Sequence, residues 1–184
     1  MKKLIALTLL GMPLIAAAGC NLVYGGEQSG DTFEGPTTCS GQVDSVTVNG
    51  PLTLSNATVS SITVNGPLDA NSSQISSVTV NGKVTLNNSK VNTLTVNGTL
   101  ESLGSTISSV EANGDLYFTN STVGNITIDQ SPTYGSYKIY LQSGTAVSGN
   151  IVFQEGNGMV YQAPGVKLTG TVTGAKVQAS SANS

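Results

Sequence analysis

Residues 43–58 read VDSVTVNGPLTLSNAT, and the chain then repeats that pattern. VSSITVNGPLDANSSQ follows from Val59, ISSVTVNGKVTLNNSK from Ile75, VNTLTVNGTLESLGST from Val91 and ISSVEANGDLYFTNST from Ile107. A decayed sixth copy, VGNITIDQSPTYGSYK, begins at Val123. A fixed period of 16 residues implies stacked supersecondary units that bury their apolar faces against one another.

Within a copy, apolar residues recur at places one, four, six, ten and twelve. The first column reads Val43, Val59, Ile75, Val91, Ile107, Val123, and the fourth Val46, Ile62, Val78, Leu94, Val110, Ile126. The steps from four to six and from ten to twelve are strand alternation. β-Branched Val, Ile and Thr suit a pleated surface, whereas Gly, Asn and Ser at every turn disfavour a helix. Asn-Gly is also a hairpin signal, so an antiparallel meander competes. An identical unit making one circuit per copy, however, stacks each residue type on itself, with Asn-Gly as a corner where Gly accepts positive φ. Sixteen residues at about 3.3 Å each give a perimeter of about 50 Å, enough for a narrow apolar core. The expected fold is therefore all-β: a single-stranded parallel β-solenoid (β-helix) of 16-residue coils, wider toward the C-terminus.

Stacking gives the outward columns a meaning. Asn49, Asn65, Asn81, Asn97 and Asn113 form one column, expected to be a hydrogen-bonded amide ladder at a structural corner. A recognition surface is its functional alternative. The third, fifth and seventh columns carry Ser, Thr and Asn, with Thr47, Thr63, Thr79 and Thr95 as a candidate surface-binding ladder. This uncharged face is similar to the Thr ladders of ice-binding β-solenoids and would also suit a repetitive glycan. It departs from that pattern in having Asn in place of a second Thr, and Glu111 interrupts the Thr column. The plainer reading is the solvent face of a low-charge sheet.

Residues 1–19 read as a targeting segment, with Lys2 and Lys3 before an apolar run from Leu4 to Ala18 that is short for a membrane span. Ala17-Ala18-Gly19-Cys20 resembles the lipobox of bacterial lipoproteins, with Ala17 where that family most often has Leu. The resemblance implies lipid attachment at Cys20, a membrane partnership through that lipid, and Cys39 left as a free thiol or intermolecular partner. Asn21 after the cysteine, in place of Asp, implies the outer membrane in a Gram-negative host. The competing reading takes Ala16-x-Ala18 as an ordinary cleavage site, with Cys20 and Cys39 paired in an oxidising compartment.

Residues 20–42 read as a Gly-rich tether whose end folds over the first coil, with Phe33 and Cys39 as candidate cap residues. The solenoid is expected over 43–177 and a flexible tail over 178–184. Beyond Val123 the spacing lengthens: Val147-Ser148-Gly149-Asn150-Ile151 returns as Leu168-Thr169-Gly170-Thr171-Val172. Tyr117, Phe118, Tyr134, Tyr137, Tyr140, Phe153 and Tyr161 crowd this half, either as a terminal plug or as an aromatic platform for sugar.

From Cys20 onward five lysines face ten acids, and the chain has no Arg, His or Trp. Nucleic-acid binding, histidine-dependent nucleophilic catalysis and histidine metal sites are thereby disfavoured, and no cofactor is expected. One catalytic possibility survives, because parallel β-helices include polysaccharide-cleaving enzymes that use clustered carboxylates. Glu111, Asp115 and Asp129 are the candidates here, with solvated surface acids as the alternative. The expectation is a non-enzymatic structural or adhesion module of the cell envelope, meeting an envelope or host-surface protein or glycan. The Val, Gly and Asn pattern over residues 43–177 is also distantly similar to bactofilins, which implies homo-oligomers formed through coil ends.

Overall fold

The computed structural model describes residues 19–23, 26–29, 31–129 and 136–180. The leader up to residue 18, Tyr134 and tail residues 181–184 lie outside them. Each copy stacks on the next in parallel and in register. Val59 pairs with Ile75, Ile75 with Val91, Val91 with Ile107 and Ile107 with Val123. Parallel pairing excludes the meander. One coil consists of a seven-residue strand, such as Gln74–Val80 or Lys90–Val96, and a four-residue strand, such as Val84–Asn87 or Leu100–Leu103.

Inside the seven-residue strand the first, fourth and sixth residues of the repeat are buried, with two outward residues in succession between the first and fourth. Strict alternation would turn one of those two inward, so the strand bends there. The tenth column, Leu52, Leu68, Val84, Leu100 and Leu116, and the twelfth, with Leu54, Ala70, Leu86 and Phe118, complete the apolar lining. These columns form one continuous core from Phe33 to Val160. Each fully buried Val, Leu or Ile contributes about 1.5–3 kcal/mol.

The Asn-Gly corners carry positive φ as expected, 154° at Gly50, 158° at Gly66 and 155° at Gly98. Close approach adds a second constraint there: a Cβ on Gly82 would lie 2.5 Å from the carbonyl oxygen of Gly66 in the adjacent coil. The left-handed turns fall at the fourteenth place, at Asn56, Ser72, Asn88 and Asn120 with φ of 49–51° and at Gly104 with φ 63°. Asn tolerates this conformation through local side-chain hydrogen bonding, and Gly has no Cβ to clash.

Residues 20–42 are more ordered than a tether. Strand β1 (Gly19–Leu22) runs antiparallel to the start of β4 (Thr37–Asn49), and β2 (Glu27–Ser29) forms an antiparallel pair with β3 (Thr32–Glu34). β3 then adds in parallel to the end of β4, and β4 pairs along its length with β5 (Leu52–Val64). The coil therefore begins at Thr37, ahead of Val43, with a register shift at Ser40/Gly41. Phe33, in β3, and Cys39, in β4, are buried.

Cys39 is bonded to Cys20 across the β1–β4 pair. Cys20, expected to carry a lipid, and Cys39, expected as a leftover thiol, thus form a disulfide. A sulfur bonded to its own Cβ and to a second sulfur has no valence left for a thioether, so in this structure the lipid site is occupied by Cys39.

The later coils widen, as expected. Leu116 pairs with Ile139, 23 residues on, Ile126 with Ile151, 25 on, and Ile139 with Val160, 21 on. The final pairing narrows again, with Val160 opposite Val177 in the strand Ala175–Ala179.

Candidate functional site

The outward face built on the third, fifth and seventh columns is as regular as the repeat predicts. Thr47, Thr63, Thr79 and Thr95 are consecutive partners in the ladder, outward, with Thr63 exposed and the other three half-buried, at the parallel-strand spacing of about 4.8 Å. The asparagines beside them form the amide ladder. Nδ2 of Asn65 donates to Oδ1 of Asn49 at 2.7 Å, Asn81 to Asn65 at 2.8 Å, Asn97 to Asn81 at 2.7 Å and Asn113 to Asn97 at 3.0 Å. Asn49 in turn donates to Oε1 of Glu34 at 2.7 Å, so the cap strand supplies the terminal acceptor. Each amide here is spent on its neighbour, which makes the column a structural corner first.

A second ladder, inside the coil, escaped the sequence reading. Ser73, Ser89, Ser105 and Ser121 occupy the fifteenth column and are buried. The Oγ of each accepts the backbone N–H of the residue one coil earlier, from Ala57 N–H on Ser73 to Ser105 N–H on Ser121, at 3.0–3.3 Å. Each hydroxyl also donates to the carbonyl two residues before it, at 2.9–3.1 Å. The recurrence of Ser at one place in four copies was the available signal.

The three acids separate into two environments. Glu111 and Asp129 are brought together on neighbouring coils. A hydrogen bond to Asp129 and the charge of Asp129 raise the Glu111 carboxyl above its ordinary value. Asp129 also accepts Gln154 Nε2 at 2.9 Å. Asp115 stands apart in the ninth column, accepting the backbone N–H of Lys138 at 2.9 Å. No group of three or more potential metal ligands exists among the described residues.

The aromatics also divide. Phe118 and Phe153 are buried in the core, and Tyr137 packs against it. Tyr117, Tyr140 and Tyr161 instead share an outward column, stacked at 4.6 and 5.0 Å between ring centroids and within 10° of parallel. The plug reading therefore fits the phenylalanines and not these tyrosines. Tyr117 ends the stack beside a groove of about 330 Å³ whose walls include Thr85, Asn87, Glu101, Leu103 and Thr119. Burial first, then the charge of Asp115, raises the Tyr117 phenol above its ordinary value.

Comparison with protein-family models, with curated proteins and with solved structures finds no match to this chain, so its architecture is established by its own repeat and geometry: a parallel β-solenoid with a polar ladder face and a tyrosine-ended groove.

Proposed function

We propose that this chain is a non-enzymatic interaction module of the cell envelope, an exported solenoid rod that presents a repetitive polar face to a partner protein or glycan. The carrying observation is the in-register Ser/Thr/Asn face, whose asparagines are locked by the amide ladder. A face ordered before encounter loses little side-chain entropy on binding. Retention of purified, oxidised protein on intact cells and on immobilised polysaccharide tests the reading. Thr63→Lys with Thr79→Lys should abolish retention, while Thr58→Lys, also outward, should not. Equal retention by both variants sinks it. Ice binding by the same face is tested separately by whether the purified domain shapes ice crystals.

The Cys20–Cys39 disulfide supports export to an oxidising compartment. The lipobox-like leader supports a second reading, an outer-membrane lipoprotein anchored at Cys20. The two states exclude one another at one sulfur. Intact mass of the mature, unreduced chain decides between them: acyl additions mean an anchor, and a mass two hydrogens below the reduced chain means the staple. Assembly through coil ends, implied by the bactofilin-like pattern, is directed to the C-terminal end because β1–β3 cover much of the other.

A further inference from the structure

We propose that the groove beside Tyr117 binds a neutral carbohydrate ring. This deepens the interaction-module reading but uses residues away from the Ser/Thr/Asn face.

The repeat itself marks the place. Across Glu101–Gly104 the fourth copy abandons the pattern while its pairing to both neighbouring coils stays in register. Ser102 occupies a buried column otherwise filled by Leu54, Ala70, Leu86 and Phe118, and holds its hydroxyl 3.0 Å from that of Ser121. Leu103 faces outward, 48% exposed, in a column of Ser55, Asn71, Asn87 and Thr119. An apolar residue has moved from inside to outside at one coil. Departures of this kind from local rules concentrate at functional sites.

The groove formed there has the chemistry of a sugar site. Its volume of about 330 Å³ is at the lower end for small-molecule pockets. Tyr140 covers one face of the Tyr117 ring, and on the other side the column continues to Glu101. The Glu101 carboxylate is drawn to Lys83 Nζ at 2.7 Å, which leaves its second oxygen to accept. Asn87 donates to Asn71 at 3.1 Å, and the next residue in its column is Leu103, so no stacked amide donates to its Oδ1. Thr119 gives its proton to Gln142 at 2.9 Å and keeps acceptor lone pairs. The walls thus combine two apolar surfaces, Tyr117 and Leu103, with a ring of acceptors. A complementary ligand has a flat C–H face and several hydroxyl donors, as a pyranose does. An anion is disfavoured by Glu101 and by the formal charge of −3.

The test is an amide chemical-shift titration of the oxidised protein with neutral cello-, laminari-, malto- and chito-oligosaccharides. At about 10 mM ligand even a millimolar complex is mostly formed. The expected result is saturable shifts of residues 85–87, 101–104 and 117–119 with at least one of these sugars. Glu101→Ala and Tyr117→Ala should each weaken binding about tenfold, as truncation of a binding hot spot does. Tyr117→Phe should bind like wild type, which separates loss of the ring face from misfolding. Thr63→Lys with Thr79→Lys should leave these shifts unchanged, so the groove and the polar face fail independently. The proposal is overturned by no shifts in the groove with any of these sugars, by shifts confined to the Thr47–Thr95 face, or by wild-type affinity in Glu101→Ala.

Discussion

Replacing Ser89 with alanine isolates the buried serine ladder. Ser89 and Ser73 are 3% and 1% exposed, so neither has ready access to water. Wild-type Ser89 Oγ accepts Ser73 N–H at 3.1 Å and donates to Asn87 O at 3.0 Å, with Ala70 O at 3.2 Å as a second acceptor. A methyl in its place removes no apolar contact but leaves the Ser73 N–H facing carbon. An orphaned buried donor costs about 1–3 kcal/mol. The expected loss is therefore about 2 kcal/mol, or about 4–8 °C in Tm for a domain of this size. Thermal unfolding followed by far-ultraviolet circular dichroism reads it, with exposed Ser76→Ala as control, expected within about 0.5 kcal/mol of wild type. Should Ser89→Ala unfold with the control, the backbone or a water molecule satisfies Ser73 N–H, and the ladder is not what holds that corner.

Three further predictions concern the corner, the staple and the acid pair. Gly82→Ala drives a Cβ against the Gly66 carbonyl and is expected to destabilise by about 1–3 kcal/mol, more than Asn81→Ala, whose lost ladder bonds are at the surface; denaturant midpoints rank the two. Cys39→Ser opens a loop closed across 19 residues, an expected loss of about 3 kcal/mol; a reducing agent should bring wild type down to the variant and leave the variant unmoved. Glu111 has a raised folded-state pKa, so the fold holds its proton more tightly than the unfolded chain. Its contribution is present at pH below the ordinary glutamate value and is lost as pH rises through the folded value. Glu111→Gln should therefore raise stability at pH 7 by a few tenths of a kcal/mol at this exposed site, with a correspondingly higher Tm, and have little effect in acid. A variant with unchanged Tm at pH 7 contradicts the repulsion.

The parallel coil was legible in the sequence because stacking copies a residue onto itself. A period of 16 repeated from Val43 to Val123 left little freedom in register, and the inward Val, Ile and Leu columns and the Asn49–Asn113 ladder follow directly. The serine ladder was present as a column but went unread, since nothing in serine's polarity says that a backbone N–H lies within reach inside the corner. Tyr117, Tyr140 and Tyr161 were separately visible, yet their stacking depends on coils of 23 and 21 residues that break the period.

The chain by itself thus determined what repetition can encode: strand, coil length, inward and outward columns, and the polar face. Only the tertiary structure decided the rest. Whether Cys20 meets Cys39 depends on an antiparallel return of β1 that no repeat specifies. The groove depends on side chains from three successive coils, Asn87, then Glu101 and Leu103, then Tyr117, becoming neighbours through the stacking of the circuit. Local pattern fixes each residue's direction from the backbone, whereas irregular elements and pockets depend on where distant segments close in space.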